Sequence, residues 1–182
     1  MASIYSKDLK NNQIKIKPNL VISSFIPRGI LEMVEEKVPR NHYVLGVTYY
    51  KGDSQICISG HPKENETILE GLKREVQEEL ALTFKTKFIE GKKIGNNNTY
   101  YHCDISLMKL DPCNTKNTYS DVKERVVVCI YGTEKDILYY LARVKYIDGF
   151  NEDKIKEIYA IKKENLVSYL KTKNFSKLYN DI

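Results

Sequence analysis

Short runs rich in β-branched and aromatic residues recur along this chain and predict β-strands. The runs span residues 43–50, 55–59, 83–94, 99–108, 125–131 and 157–161. The first two are separated by residues 51–54 (KGDS), a sequence typical of the turn in a β-hairpin. Residues 95–98 (GNNN) predict a second turn between the third and fourth runs.

Apolar residues at helical spacing predict helices between these strands. The helical segments span residues 29–37, 66–81, 134–143 and 164–170. The second segment has the clearest pattern, because its apolar side chains fall within a stripe about 80° wide. These side chains are Leu69, Leu72, Val76 and Leu80. One face of this helix can therefore be buried, and the whole pattern predicts an α/β fold in which the helix packs on a mixed sheet.

A row of carboxylates borders this apolar stripe. Glu75, Glu78 and Glu79 occupy the neighbouring arc of the helix. Like charges three or four residues apart cost about 0.2–0.5 kcal/mol per pair in an isolated helix, so a purely structural helix would alternate its charges. Carboxylate oxygens are ligands that suit Mg²⁺ or Mn²⁺. We therefore expect this edge to present three carboxylates to a single cation.

These carboxylates belong to a longer pattern of fixed spacing. Residues 60–82, which we call the box, follow G-x5-E-x7-R-E-U-x-E-E-x-G-U, where U is apolar. The charged and glycine positions that match are Gly60, Glu66, Arg74, Glu75, Glu78 and Glu79. Each residue type has a frequency of about 5–7 %, so these matches have a chance probability of order 10⁻⁷ per start position. The segment resembles the box of the Nudix hydrolase superfamily, with Ala81 where the family has glycine.

The resemblance implies a Nudix α/β/α sandwich with a mixed central sheet. It also implies metal-dependent cleavage of a nucleoside diphosphate linked to another group. Glu75, Glu78 and Glu79 would be ligands of Mg²⁺ or Mn²⁺, together with a backbone carbonyl near Gly60. Glu78 or Glu79 would also position or deprotonate the attacking water.

By the same resemblance, Arg74 would assist catalysis by orienting carboxylates, through pairing with Glu78 or Glu70. Glu66 would brace the junction between the loop and the helix. The family's glycine relieves backbone strain at the end of the helix. We expect Ala81 to cost little if that turn stays helical.

Many Nudix enzymes add a glutamate from a loop well downstream of the box. Glu157, close to the last predicted strand, is the favoured candidate for this catalytic role. Glu124 and Glu152 are the alternatives, and each of the three can equally be an ordinary surface residue.

The length of 182 residues fits one domain with a sizeable core. Prolines at positions 18 and 27 interrupt regular structure near the start. We therefore expect an N-terminal extension over residues 1–42 and the Nudix hydrolase domain over residues 43–182.

The chain is basic, with a net charge of +5, although the box is acidic. Lysines concentrate in the N-terminal arm, in residues 85–93 and in residues 154–177. Such a surface can hold a polyphosphate or an RNA backbone, or can simply be solvated. No apolar run approaches the roughly 18 residues of a membrane span, and the four cysteines lack metal-ligand spacing. We expect a cytoplasmic protein with reduced thiols, in the host cytoplasm if the chain is viral, and no membrane partner.

The box predicts the bond that is cleaved but leaves several substrates open. The first choice is the 5′ cap of mRNA, with release of m7GDP. The flanks are basic, an extension precedes the box, and the box helix resembles those of decapping and nucleolar-RNA-binding Nudix proteins. The divergent, AT-rich character of the chain would suit a viral-type decapping member. The second choice is a dinucleoside polyphosphate or a diphosphoinositol polyphosphate, supported by Tyr100 and Tyr101 at about the position where a tyrosine is common in the former subgroup. A different class is a non-catalytic Nudix domain that binds RNA or nucleotide.

Overall fold

The computed structural model describes residues 3–4, 30–52, 54–82, 90–94, 98–104, 125–143 and 153–172. The strand predicted over residues 83–94 is therefore described only from Glu90 onwards. Glu124 and Glu152, the alternatives to Glu157, lie outside the described residues.

The described chain alternates strands and helices. The strands are β1 (Ser3–Ile4), β2 (His42–Tyr49), β3 (Ser54–Gln55), β4 (Ile58–Gly60), β5 (Glu90–Ile94), β6 (Asn98–Asp104), β7 (Arg125–Thr133) and β8 (Ile155–Lys162). The helices are α1 (Ile30–Lys37), α2 (Ile68–Leu80), α3 (Glu134–Arg143) and α4 (Lys163–Thr172). The predicted helices are all present, with ends displaced by no more than two residues.

The strands form one mixed sheet in the order β1-β8-β2-β7-β6-β5. β3 pairs with β2, and β4 pairs with β7. The β1–β8 and β6–β7 pairs are parallel, whereas β8–β2, β2–β7 and β6–β5 are antiparallel. The expected α/β class with a mixed sheet is confirmed. The run predicted as one strand over residues 55–59 is instead divided, because the chain bends at residues 56–57 and pairs with a different neighbour on each side.

Helices cover both faces of the sheet. On one face, buried side chains of α2 and α3 pack with Leu45, Ile58 and Ile158 in the first core cluster. On the other face, α1 and α4 pack with Val44 and Ile161 in the second core cluster. Successive residues of one strand thus enter different cores, as strand geometry requires. Since α1 belongs to the second core, part of the segment predicted as an N-terminal extension contributes to the fold.

Helix α2 carries the box and has defined ends. Thr67 is its N-cap: the Thr67 hydroxyl accepts from the Glu70 N–H at 3.2 Å, and the Glu70 carboxylate accepts from the Thr67 N–H at 3.1 Å. The face of α2 that includes Leu72, Val76 and Leu80 is fully buried against the sheet. This packing determines which side of the helix remains accessible, and it therefore determines where the box carboxylates lie.

Candidate functional site

Arg74, midway along the box helix, is the centre of a charged network. Its Nε lies 2.9 Å from Glu66 Oε2, and its Nη2 lies 3.0 Å from Glu66 Oε1, a bidentate arrangement. Nη1 donates to Glu75 Oε1 at 2.9 Å and to Glu78 Oε2 at 3.4 Å. Nη2 also donates to the His61 carbonyl at 3.1 Å. One guanidinium therefore joins the loop before α2 to two of the box carboxylates.

Glu66 is the buried anchor of this network, with 1 % of its surface exposed. It accepts from the Lys63 N–H at 2.8 Å as well as from Arg74. Burial opposes ionisation of Glu66, but these hydrogen bonds outweigh it and lower the pKa of the carboxyl. The expected brace is present, with Glu66 as the principal partner of Arg74; Glu70, an expected partner, instead caps the helix.

Glu79 lies in a separate environment on the same helix. The Tyr49 hydroxyl donates to Glu79 Oε1 and is also 3.3 Å from Gln55 Oε1. Glu79 Oε2 is buried and has no hydrogen-bond partner among the described residues. Burial raises the pKa of Glu79 to about 8, with Glu75 and Glu78 adding to the rise while Tyr49 and Lys154 oppose it. A buried carboxylate oxygen without a donor favours a cation or a proton at this point.

Gly60 lies directly beneath Glu75. A Cβ at Gly60 would lie 2.3 Å from Glu75 Oε1 and 2.8 Å from Glu75 Cγ, so any side chain would displace the carboxylate. Burial raises the pKa of Glu75, although Arg74 opposes the rise. The absence of a side chain at Gly60 thus brings the backbone of β4 against a box carboxylate, as expected for a residue that contributes its carbonyl to a cation site.

The expected convergence of Glu75, Glu78 and Glu79 on one point is not seen. Within the described part of the chain, no group of three or more His, Cys, Asp or Glu side chains is placed to hold a metal ion. Arg74 holds the ends of Glu75 and Glu78, whereas Tyr49 holds Glu79, so the carboxylates turn towards different partners. The oxygen-rich donor set and the unpartnered Oε2 of Glu79 still suit a hard divalent cation, but binding one requires that Glu75 and Glu78 turn away from Arg74.

Glu157 is not brought together with the box carboxylates. Its neighbour Ile158 lies in the core beneath α2, whereas Tyr159 lies in the core on the other face. Since strand residues alternate between faces, Glu157 shares the face of Tyr159 and is separated from α2 by the sheet. Its position on that face is fixed by pairing with Thr48 of β2. This placement gives no geometric support to the expected catalytic role of Glu157, which stays a prediction.

Ala81 ends the box helix in the left-handed conformation, with φ 53° and ψ 30°. The turn is therefore not helical at Ala81. The condition under which alanine was expected to cost little is not met. Ala81 donates its N–H to the Gln77 carbonyl at 3.1 Å, while the buried Tyr140 hydroxyl donates to the Leu80 carbonyl. Both contacts stabilise the end of α2, and the Ala81 methyl group is fully buried in the first core cluster.

A cleft of about 480 Å³ lies beside Tyr49, the residue whose hydroxyl is hydrogen-bonded to Glu79. Its lining residues are Tyr49, Tyr50, Lys51, Gly52, Gln55, Asp153 and Lys154. Tyr49 joins the cleft to Glu79, and Lys154 lies close enough to lower the pKa values of both Glu75 and Glu79. Tyr49 and Lys154 are functional candidates that were not among the expected site residues. The sequence alone does not distinguish them from the other tyrosines and lysines. The adjacent tyrosines 49 and 50 at the end of β2 are the sequence feature that comes nearest to indicating Tyr49.

Comparisons with family models, with curated proteins and with solved structures found no match to this chain. Among the described helices, none is long and apolar enough to cross a membrane.

Proposed function

We propose that this chain is a Nudix-type hydrolase that cleaves a phosphoanhydride bond in a nucleoside diphosphate linked to a second group. The observation that carries the proposal is the arrangement of the box around α2. Arg74 gathers Glu66, Glu75 and Glu78, and Glu79 lies beside them with a buried, unpartnered oxygen. A purely structural helix has no reason to concentrate so many carboxylates at the edge of its buried face. The helices on both faces of the mixed sheet also fit the Nudix sandwich.

Mg²⁺ or Mn²⁺ is the cofactor that this donor set suits, with Glu75, Glu78, Glu79 and the Gly60 carbonyl as the proposed ligands. A divalent metal bound there would neutralise phosphoryl charge and lower the pKa of a bound water. Arg74 fixes the direction of the neighbouring carboxylates through its anchor on Glu66. Glu79 has a free acceptor oxygen in the described structure and is the favoured residue to orient the attacking water.

The 5′ cap of mRNA is the proposed substrate, with m7GDP as the product. The cleft beside Glu79 combines aromatic and cationic side chains, which are the groups that bind a base and its phosphates. The basic flanks of the chain are suited to the RNA backbone. Capped RNA is a cytoplasmic substrate, and the buried, reduced thiols of Cys57 and Cys129 fit that compartment.

One observation favours a second function, a non-catalytic domain that binds RNA or nucleotide. Glu75 and Glu78 are already paired with Arg74, and no group of three or more described His, Cys, Asp or Glu side chains is placed to hold a metal. If this ion-pair network persists when Mg²⁺ or Mn²⁺ is present, the cleft could still bind a nucleotide without hydrolysis.

The test is parallel incubation of the full chain with cap-labelled RNA, diadenosine polyphosphates and diphosphoinositol polyphosphates, each with Mg²⁺ or Mn²⁺. We expect release of m7GDP from the capped RNA. If only the small molecules react, the cap is not the substrate, and the reacting small molecule is the better candidate. Binding of capped RNA with no turnover of any substrate would support the non-catalytic domain.

A further inference from the structure

Two separate segments line the cleft. The turn after β2 contributes Tyr50, Lys51 and Gly52, and the residues just before β8 contribute Asp153 and Lys154. The Tyr50 N–H donates to the Lys154 carbonyl at 3.1 Å. This backbone hydrogen bond joins the two segments.

Tyr50 is strongly exposed for an aromatic residue. Its exposed fraction is 56 %, the same as that of Tyr139. Tyr139 lies on α3 and is not part of the cleft. An exposed aromatic ring in a concave site offers a face on which a nucleobase can stack.

The lining of the cleft is chemically mixed. Tyr49 and Gln55 connect it to Glu79, since the Tyr49 hydroxyl is hydrogen-bonded to both Gln55 and Glu79. Tyr50 is aromatic, Lys51 and Lys154 are cationic, and Asp153 is acidic. A nucleotide matches the aromatic and cationic members of this lining, through its base and its phosphates.

The volume of the cleft is compatible with one nucleotide as the ligand. A volume of about 480 Å³ is within the usual range for a small-molecule site and suits one nucleotide unit. We propose that this cleft binds the nucleoside diphosphate portion of the substrate, with Tyr50 stacking on the base and with Lys51 and Lys154 contacting the phosphates. The proposal rests on the proposed function, because it identifies which part of the substrate lies beside the carboxylates.

The binding test uses guanosine diphosphate and inorganic pyrophosphate, titrated calorimetrically into the full chain carrying Glu78→Gln to prevent turnover. With Tyr50→Ala added, we expect the affinity for guanosine diphosphate to fall about tenfold, because base stacking is lost. Tyr50→Phe should retain the affinity, since the aromatic face remains. Tyr139→Ala, which removes an equally exposed tyrosine on α3, is the matched control and should change nothing.

Substitution of Lys154 should change ligand affinity differently from substitution of Tyr50. Lys154→Ala should weaken both guanosine diphosphate and pyrophosphate, because it removes a phosphate contact, whereas Tyr50→Ala should leave pyrophosphate binding unchanged. Lys135→Ala, at an exposed position on α3, controls for the loss of one positive charge. If Tyr50→Ala and Lys154→Ala bind as their controls do, the cleft assignment is overturned.

Turnover by the otherwise unaltered chain separates this proposal from the proposed function. Metal-dependent hydrolysis with a KM raised about tenfold by Tyr50→Ala, and little change in kcat, supports both. Hydrolysis with a KM unaffected by Tyr50→Ala overturns the cleft assignment and leaves the hydrolase in place. No hydrolysis, together with nucleotide binding that depends on Tyr50, overturns the hydrolase and supports the cleft.

Discussion

At the scale of single residues, Arg74 orients three of the box carboxylates. It holds Glu66 with two of its nitrogens and turns Glu75 and Glu78 towards itself. The sequence predicts that these residues lie near one another, because helical spacing is a local property. It does not predict that Glu66 becomes the main partner of Arg74, since that pairing depends on how the loop before α2 folds back onto the helix.

Gly60 provides a test of the close contact between β4 and α2. Gly60→Ala would place a methyl group 2.3 Å from Glu75 Oε1, so the carboxylate must move. We expect the affinity for Mn²⁺ to fall roughly tenfold, which is the size of effect seen when the support of a metal ligand is disturbed. Electron paramagnetic resonance of Mn²⁺ during a titration measures this affinity.

Gly52→Ala is the control for the Gly60 substitution. The nearest atom to a Cβ at Gly52 is 3.7 Å away, which is ordinary van der Waals contact. Mn²⁺ affinity should therefore be unchanged in this variant. Equal affinities for Gly60→Ala and the unaltered chain would show that Glu75 is not a ligand.

At the scale of elements, the end of α2 combines strain with burial. Ala81 adopts a φ of 53°, which costs a residue with a Cβ about 1–2 kcal/mol. Its methyl group is fully buried, and burial of one such group contributes about 0.8 kcal/mol. Burial therefore offsets part of the strain, which helps this chain tolerate alanine where the box pattern has glycine.

Substitutions at Ala81 test this balance. Ala81→Gly should change the free energy of unfolding by less than about 1 kcal/mol, because relief of strain offsets the lost methyl burial and the greater freedom of the unfolded chain. Ala81→Val should destabilise the protein by more than about 2 kcal/mol, since a β-branched residue fits the left-handed region poorly. Urea denaturation measures both variants, and a harmless Ala81→Val would contradict the left-handed end of the helix.

At the scale of the whole molecule, the sheet determines which residues can share a site. The helices and most strands are predictable from local patterns, and the structure places them close to the expected residues. The face occupied by Glu157 is not predictable, because it depends on the pairing of β8 with β2 and on the irregularity next to Thr48. The contact between Tyr49 and Glu79 is likewise not predictable from the sequence. The two residues are 30 positions apart and meet only because α2 packs on the sheet.

The buried carboxylates give the whole molecule a pH-dependent stability when divalent metal is absent. The pKa of Glu79 is raised from 4.5 to about 8, so between these values the folded state retains a proton that the unfolded chain has lost. A folded state that binds more protons becomes less stable as pH rises. Glu75 acts in the same direction, whereas the lowered pKa of Glu66 has its effect below pH 4.5.

We therefore expect the free energy of unfolding in EDTA to fall between about pH 5.5 and about pH 8. The decrease due to Glu79 should not exceed about 1.4 kcal/mol per pH unit, the limit for one proton. Glu79→Gln should reduce the decrease, because the amide does not titrate. An identical pH dependence in the two proteins, measured by urea denaturation, would remove Glu79 as its source.

Metal-dependent hydrolysis by the box residues is the central claim about this molecule. The most direct measurement is the initial rate of m7GDP release from cap-labelled RNA as a function of Mn²⁺ concentration. We compare the unaltered chain with Glu78→Gln and with Glu64→Gln, an exposed glutamate in the loop before α2. The predicted result is saturable hydrolysis that falls at least about a hundredfold in Glu78→Gln and is retained in Glu64→Gln. Equal rates in all three proteins, or no Mn²⁺-dependent release by the folded unaltered chain, would contradict the claim.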